Sequence, residues 1–560
     1  MRHSESDCNA RRPWRRPGRR AVLCALIGAA LVSQFVIRAE LSLRQKSAVW
    51  DEQLHLGYGL DFIAQGPGFD GRDHPYPVAA LLAAAVFDSS AGPASGRELR
   101  VERAGHLFPA RRVNVALAAV ALLVLAVLAA RRFGAAAALL VLGLGALDPG
   151  WIAQARFVTT DTALGIAFAL AAFALARHRE TRELTPLIAA GLALGFGMTA
   201  KLSAVLIAAA VPLLFLVPAP GQAFREGLLK RLGWSVAAGG IVLGIGLACY
   251  LLVIEGAALW HGLGLADGWN HVIQGLEQAI AKRAEPRGVF LLGSFHSRSS
   301  VLYFPVLLLA KTPLVLLVLL GIAAALRESR ALISRQRILL LLPALYLLVA
   351  ILSRVNMGFR HLTPVLPALW IIGGFGALAL WRHTPRGRIY AGVLLLALTI
   401  EGLALHPHYL PATNILFGGV DGAHRVAVDS ATDWGQDLPA LKEYLARHPP
   451  QQGPAHLAFF GNADPRAYVG RTVWRPCGGL GFPPRRGQAR AGCRAGAEVL
   501  AISATCLMGA TGRRVGRRWS LTQRNRCYAW LRGREPDAIL GGSILVFRNL
   551  KPSVLSPRSR

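Results

Sequence analysis

The chain has 560 residues, 53% of them hydrophobic, and a formal net charge of +31. Its repeated long apolar runs exclude an ordinary soluble protein and predict a chain that crosses a membrane many times. The basic balance would suit nucleic acid, but no nucleic-acid-binding motif is present and most Lys and Arg residues lie between apolar runs. No nucleic-acid partner is therefore expected.

The apolar runs predict about eleven transmembrane helices, since each span needs about 20 apolar residues. In chain order they are Ala21–Ala39, Val113–Ala130, Gly134–Ala153, Thr162–Ala176, Leu184–Ala200, Leu202–Val217, Trp234–Ile254, Val301–Leu326, Ile338–Leu352, Leu362–Trp381 and Ile389–Leu405. The first follows "RRPWRRPGRR", as in a secretory signal, but no small-residue cleavage pattern comes after it. We interpret it as an uncleaved anchor.

The positions of the arginines predict the orientation, because short cytoplasmic loops accumulate Lys and Arg. Every second loop is basic when the N-terminus is inside, which makes residues 1–20 a cytoplasmic basic tail and 21–405 the transmembrane part. An odd number of spans places residues 406–560 outside, and this length suffices for a separate soluble domain. The expected location is the cytoplasmic (inner) membrane, crossed many times.

The first outer loop, residues 40–112, is long enough to expect a function for it. It contains the adjacent acids Asp51 and Glu52, and a helix over 51–63 would place both within one turn of His55. A carboxylate at the membrane boundary can act as a general base. The alternative is that the two acids only cap the N-terminus of a helix.

Further charged residues fall on the same predicted side of the membrane. They are Arg72, Asp73 and His74 in "DGRDHPYP", Asp161 with Arg156 nearby, Lys201 in "GMTAKLS", and Arg354, Arg360 and His361 in "SRVNMGFRHLTPVLP". Such groups at membrane depth usually face a cavity or a partner. Together they suit a ligand with a phosphate and a hydroxyl. For each basic residue, contact with lipid headgroups is the alternative.

The outer segment, residues 406–560, combines apolar strand-like stretches with a helix from Leu438 to His448, which predicts an α/β or mixed domain. It holds 20 Arg and 2 Lys against 9 acids. An anionic acceptor would explain this charge, and so would a generally arginine-rich composition.

Four of the seven cysteines lie in the outer segment: Cys477, Cys493, Cys506 and Cys527. An even number in an oxidising location predicts two disulfides rather than a zinc site, whose ligands are usually more closely spaced. Three connectivities are open. Adjacency favours Cys477 with Cys493 and Cys506 with Cys527.

The order of these motifs resembles the GT-C membrane glycosyltransferases. It includes "DE" at Asp51, "DHPYP", Asp161 at the start of a span, "KLSA" at Lys201 and "RHLTPVLP" at Arg360. The phospholipid-carrier-dependent family 39 is the most similar branch, which includes protein O-mannosyltransferases and lipid A aminoarabinose transferases. "DWGQDL" at 433–438 resembles a signature of one bacterial branch.

The resemblance implies a GT-C-like polytopic α-helical membrane fold with a C-terminal extracytoplasmic α/β domain, and an inverting hexosyl- or pentosyltransferase. The donor would be a polyprenyl-phosphate sugar, and the acceptor a glycan, lipid or protein. Asp51 would be the general base, Glu52 would orient it, and Asp161 would be a second acid. The donor phosphate would contact His74, Lys201, Arg360 and His361. Tyr76 interrupts the proline pair that relatives have after their His or Lys.

No cofactor is expected. The three acids could offer oxygen ligands to a divalent ion, but the resemblance does not imply a metal. Two other functions fit a polytopic membrane protein: a flippase or transporter for a lipid-linked sugar, and a non-catalytic glycan-binding protein. A transporter usually contains internal repeats and charges near the midplane, and neither is evident here.

Overall fold

A computed structural model gives the fold. It describes residues 18–67, 77–87, 107–202, 204–205, 211–212, 228–263, 267–284, 288–353, 355–383, 385–477, 492, 495–516 and 527–551.

Before residue 405 the regular elements of the described residues are helices, apart from one short hairpin. The helices of its first half are α1 (Arg19–Leu43), α2 (Glu52–Gln65), α3 (Pro77–Ala83), α4 (Leu107–Phe133), α5 (Ala135–Leu147), α6 (Pro149–Ala155), α7 (Asp161–Thr181) and α8 (Leu184–Ala200). Those of its second half are α9 (Leu228–Trp260), α10 (Asp267–Ala284), α11 (Tyr303–Lys311), α12 (Leu314–Ala325), α13 (Arg327–Arg335), α14 (Arg337–Leu352), α15 (Leu366–His383) and α16 (Pro385–Ala404).

The described residues include 5 helices long and apolar enough to cross a membrane, or up to 8 if each bent pair is one span. The chain is therefore a multi-pass membrane protein, and the count of about eleven spans stays a prediction. Two expected spans are not single helices. Gly134–Ala153 is bent by 62° between α5 and α6, and Val301–Leu326 by 106° between α11 and α12.

Both breaks have a local cause in the sequence. At the first, Asp148 precedes Pro149 and caps α6, accepting hydrogen bonds from the backbone N–H of Gly150 at 2.7 Å and from Trp370 Nε1 at 2.8 Å. At the second, Pro313 ends the hydrogen-bonding pattern. Lys311 Nζ there donates to the carbonyl of Leu410 at 2.8 Å. Proline and a polar cap make a helix end where hydropathy alone predicts its continuation.

The C-terminal part is a mixed domain, as expected. It contains α17 (Gly419–Val426), α18 (Leu438–Arg447), β3 (His456–Ala458), α19 (Arg466–Val469), β4 (Val473–Trp474), β5 (Ala497–Ser503), α20 (Ala504–Thr511), β6 (Arg513–Val515), β7 (Ala538–Leu540) and β8 (Ile544–Leu550). Five strands form a sheet in the order β4-β3-β5-β8-β7, in which β3 pairs parallel with β4 and β5, and β8 pairs antiparallel with β5 and β7.

A hairpin from the membrane part packs with the C-terminal domain, which the sequence predicts to lie outside. Its strands are β1 (Val289–Leu291) and β2 (Ser294–His296), and β2 pairs in parallel with β6. Residues 406–560 therefore do not contain every strand that packs with this domain.

The expected pairing of the cysteines is wrong. Cys477 is bonded to Cys506, with a Cα–Cα distance of 4.9 Å. Cys477 follows β4 and Cys506 lies on α20 directly after β5, and both strands flank β3, so the sheet brings together cysteines that are distant in sequence. Cys527 is also disulfide-bonded, and Cys493 lies outside the described residues.

Candidate active site

Two ion pairs meet where the membrane helices join the C-terminal domain. Asp51 immediately precedes α2, and its Oδ2 accepts a hydrogen bond from Arg360 Nη1 in the turn Phe359–Leu362. Asp161 is the first residue of α7, and its Oδ1 accepts from Lys201 Nζ at the end of α8. The fold therefore brings together four residues that lie far apart in the sequence.

The two pairs are joined by the backbone around them. The Thr363 hydroxyl lies 3.0 Å from the carbonyl oxygen of Asp161 and 2.9 Å from that of Arg360, and can donate to either. The start of α7 is thereby held against the turn that carries Arg360. We call Asp51, Asp161, Lys201, Arg360 and His361 the open cluster, because Lys201 and Asp51 keep 19% and 20% of their side-chain surface exposed.

Several polar atoms of the open cluster have no hydrogen-bond partner among the described residues. They are Asp161 Oδ2, Arg360 Nε and His361 Nε2. A buried polar group without a partner costs free energy, so such atoms usually mark a place where water or a ligand binds. One acceptor and two nitrogens that can donate are thus left available at one place.

Electrostatics sets the charge state of this cluster. Burial would raise the pKa of Asp51, but the charges of Arg360, His55 and Lys201 lower that pKa below its ordinary value. Burial lowers the pKa of His361 to about 3, aided by the cations Lys201 and Arg360. At neutral pH the cluster therefore combines a charged carboxylate at Asp51 with a neutral imidazole at His361.

Glu52 occupies a different environment, although it is adjacent to Asp51. Its Oε1 and Oε2 accept from Arg111 Nε at 2.8 Å and Nη2 at 2.6 Å, and both side chains are fully buried. Glu52 also accepts from the backbone N–H groups of Val49 and Val158. We call Glu52 and Arg111 the closed pair. The hydrogen bond from Val49 fixes the backbone two residues before Asp51, and the orienting role of Glu52 stays a prediction.

The remaining candidates from the sequence lie elsewhere. His74 and Arg354 are outside the described residues. Arg156 is buried away from the open cluster and donates to the carbonyl of Pro407 at 2.7 Å. Asp51 occupies the N-cap position of α2, but its side chain makes no capping hydrogen bond. His55 instead has its Nδ1 2.9 Å from the carbonyl oxygen of Val158.

Sequence reasoning missed two residues that contact the site. Arg111 lies at the start of a span, where a basic residue usually marks only a helix end. Trp434 packs beneath Arg360, with the guanidinium carbon 4.6 Å from the centroid of its ring system. The "DWGQDL" pattern was the signal that could have found Trp434. Among the residues with defined placement, no group of three His, Cys, Asp or Glu side chains could hold a metal ion.

A segment of the membrane part matches a known protein family. Residues 103–249, from just before α4 into α9, match the family model of dolichyl-phosphate-mannose-protein mannosyltransferases. The chain is a glycosyltransferase. The matched segment of this glycosyltransferase contains Arg111, Asp161 and Lys201. No curated protein sequence matches the chain.

Solved structures that are similar to the chain include two of ArnT and one of AglB. ArnT from Cupriavidus metallidurans in the apo state has a TM-score of 0.46 and 14% identity, and the match covers 87% of this chain and 94% of that chain. ArnT bound to undecaprenyl phosphate has a TM-score of 0.44 and 14% identity, and the match covers 86% of this chain and 93% of that chain. The oligosaccharyltransferase AglB from Archaeoglobus fulgidus, in complex with an inhibitory peptide and a dolichol-phosphate, has a TM-score of 0.44 and 13% identity. This match covers 86% of this chain and 71% of that chain. At such TM-scores these likenesses assign no role to any residue here.

Proposed function

We propose that this glycosyltransferase moves a hexose or pentose from a polyprenyl-phosphate donor to a hydroxyl of an acceptor at the outer face of the cytoplasmic membrane. The observation that carries the proposal is the open cluster, in which a charged carboxylate lies beside cationic and neutral nitrogen donors that are not all used. A general base for the acceptor hydroxyl and cations for the donor phosphate are the two requirements of this transfer.

The cations hold the donor phosphate. Lys201 and Arg360 pair with its oxygens, and neutral His361 donates a hydrogen bond through Nε2, which has no partner among the described residues. His74 remains a proposed fourth contact on the strength of the sequence. As the bond between the anomeric carbon and the phosphate oxygen breaks, negative charge grows on the leaving phosphate. Fixed positive charge stabilises that change.

Asp51 takes the proton of the acceptor hydroxyl while the acceptor oxygen forms its bond to the anomeric carbon. Attack from the side opposite the phosphate inverts that carbon. In the described structure Asp51 is held deprotonated by Arg360. When a donor phosphate draws Arg360 towards itself, Asp51 loses part of this charge pairing and its proton affinity rises. Glu52 orients the base, and Asp161 positions Lys201.

The topology proposed with this function places the basic tail, residues 1–20, in the cytoplasm, the catalytic membrane part at 21–405, and residues 406–560 outside. The carboxylates then lie on the face where a lipid-linked sugar is presented. The basic outer domain suits an anionic glycan or lipid as acceptor, although a protein hydroxyl would meet the same chemical requirement.

The test is transfer by purified protein from a panel of labelled polyprenyl-phosphate hexoses and pentoses, with membrane extract as the acceptor. Wild-type protein should transfer at least one sugar with inversion, and Asp51→Asn should lower the rate by about 10²- to 10⁴-fold, as expected for a lost general base. Glu40→Gln is the matched control, because Glu40 also pairs with arginines, Arg112 and Arg44, but lies outside the open cluster.

Equal rates in wild type and Asp51→Asn would remove Asp51 from the mechanism and leave Asp161 as the acid to test. A loss in Glu40→Gln as large as in Asp51→Asn would mean that the assay reports folding rather than catalysis. Absence of transfer from every donor, with the lipid-linked sugar still bound, would contradict the proposal and favour a carrier or binding protein.

A further inference from the structure

We propose that the outer domain is part of the catalytic apparatus, and that Trp434 is the positioning residue through which it holds Arg360 against Asp51. The segment that does this, residues 429–437, is called the bracket below. This inference rests on the proposed function, because it assigns a role within the same site.

The bracket fixes the chain directly before Asp51. Trp50 donates its backbone N–H to the carbonyl of Trp434 at 3.1 Å, and Ser47 donates its own to the carbonyl of Gln436 at 3.0 Å. The Ser47 hydroxyl donates further to the carbonyl of Gly435 at 2.8 Å. The last residue before Asp51 is therefore hydrogen-bonded to the outer domain, and a shift of the bracket would shift Asp51.

The bracket also fixes Arg360. Its guanidinium carbon lies 4.6 Å from the centroid of the Trp434 rings. Trp434 itself is 2% exposed and packs edge-to-face on Phe157 at 6.2 Å. A cation over the face of a buried aromatic ring is attracted to it, which restricts the guanidinium to one orientation. In that orientation Nη1 reaches Asp51 and Nε stays available.

The backbone of the turn that carries Arg360 approaches the bracket closely. Gly358 has φ +79°, and a Cβ atom there would lie 2.4 Å from Ser430 Oγ and 2.8 Å from the backbone carbon of Ser430. Only glycine suits both this conformation and this separation. The backbone N–H of Gly358 donates to the Tyr303 hydroxyl at 2.9 Å, so the turn is held from the membrane side as well.

The bracket is anchored in turn to both parts of the molecule. Asp437 pairs with Lys46 at 2.5 Å and accepts from the Ser543 hydroxyl at 2.6 Å. Asp433 accepts from the backbone N–H of Thr505 at 2.8 Å, at the start of α20. The first contact ties the bracket to the loop after α1, and the other two tie it to the outer sheet.

It follows that removal of the outer domain would disturb the open cluster itself. Loss of transfer in such a truncation would not identify the domain as the acceptor-binding part, because both Asp51 and Arg360 would lose their support. The point substitution at Trp434 separates the two roles.

The experiment compares Trp434→Leu, which stays apolar but has no π-face, with Trp434→Phe, which restores the face. Leucine should lower kcat/KM for the polyprenyl-phosphate sugar by about 3- to 30-fold, the range of a buried cation–π contact. It should also move the acidic limb of the kcat/KM profile to higher pH, since a less fixed Arg360 lowers the pKa of Asp51 less. Phenylalanine should restore most of kcat/KM and return the acidic limb towards its wild-type pH.

Trp474→Leu is the control for a merely structural effect. Trp474 on β4 is also a buried tryptophan of the outer domain, with 8% of its surface exposed, and it is not part of the open cluster. It should lower the unfolding temperature and leave the acidic limb in place. An unchanged limb in Trp434→Leu, or the same shift in Trp474→Leu, would overturn the inference while the transfer by wild type still stands.

A second measurement does not depend on transfer. Unfolding temperatures of Trp434→Leu, Arg360→Gln and the double variant should be non-additive, the double variant losing less than the two single losses together. Non-additivity in a protein that transfers no sugar would support the contact and reject the proposed function. Additive losses would reject the contact.

Discussion

Asp51 and Glu52 are neighbours in sequence, and each pairs with an arginine, yet the two pairs differ in almost every physical respect. The closed pair of Glu52 and Arg111 is fully buried, and both carboxylate oxygens accept several hydrogen bonds. In the open cluster the Asp51 side chain is 20% exposed, and polar atoms remain unused. A saturated ion pair has no capacity left for a ligand, whereas an unsaturated one retains it. Hydrogen bonding therefore separates the acid proposed to orient from the acid proposed to react.

The largest expected effect is on stability, in the closed pair. Arg111→Met would leave Glu52 buried without a counter-charge and should lower the free energy of unfolding by about 3–5 kcal/mol. Denaturant unfolding in detergent measures this loss, and Glu52→Gln combined with Arg111→Met should recover part of it. A loss below about 1 kcal/mol would mean that the pair is not saturated in solution.

A smaller effect is expected in the open cluster, and on catalysis. Lys201→Gln keeps a hydrogen bond to Asp161 but removes the charge offered to a phosphate. It should lower kcat/KM for the donor by about 10- to 100-fold, the value of a charge-assisted hydrogen bond. The stability cost should be smaller than that of Arg111→Met, because the glutamine amide still donates to Asp161. The opposite result, stability lost and catalysis kept, would make the Asp161–Lys201 pair structural like the closed pair.

The smallest expected effect is a flat pH dependence. Since kcat/KM reports the free enzyme, and the folded pKa of Asp51 lies below its ordinary value, the base stays deprotonated down to acidic pH. The pKa of His361, about 3, keeps that ring neutral. The cluster should therefore give no titration of kcat/KM between about pH 5 and 7. A limb near pH 6.5 that disappears in His361→Asn would contradict this charge assignment.

The same shift has a consequence for stability. Because the folded pKa of Asp51 is depressed, its contribution to stability is present above the unfolded pKa of about 3.9 and is lost as pH falls through the folded value.

The acidic limb of the kcat profile should lie at higher pH than that of the kcat/KM profile, since a bound donor phosphate draws Arg360 away from Asp51. Acidic limbs at the same pH for kcat and kcat/KM would argue against the movement of Arg360 from Asp51 to the phosphate.

Much of the fold could be predicted from the sequence. Hydropathy indicated a polytopic helical membrane protein, and strand-like stretches between turn residues indicated the mixed outer domain. The candidates Asp51, Asp161, Lys201 and Arg360 meet in one cluster because each lies at an end of a helix or in a turn on one side of the helical part. Their catalytic roles stay predictions.

The rest depends on contacts that a linear pattern does not contain. The bends at Asp148 and Pro313 come from single residues within runs that remain apolar on average. The Cys477–Cys506 bond follows from strand order, which adjacency in sequence does not report. Arg111 and Glu52 are 59 residues apart, and only the packing of α4 against the loop before α2 brings them together.

The hairpin of β1 and β2 restricts how this protein can be built. Ser294, from the membrane part, pairs with Arg513 near the end of the chain. During synthesis β2 has no parallel partner until β6 and most of the C-terminal domain have been made. This contact has a long sequence separation and therefore forms late. If the C-terminal domains of two such enzymes were exchanged, β2 would meet a foreign β6 strand. The hairpin would have to be exchanged together with the domain to keep this pairing.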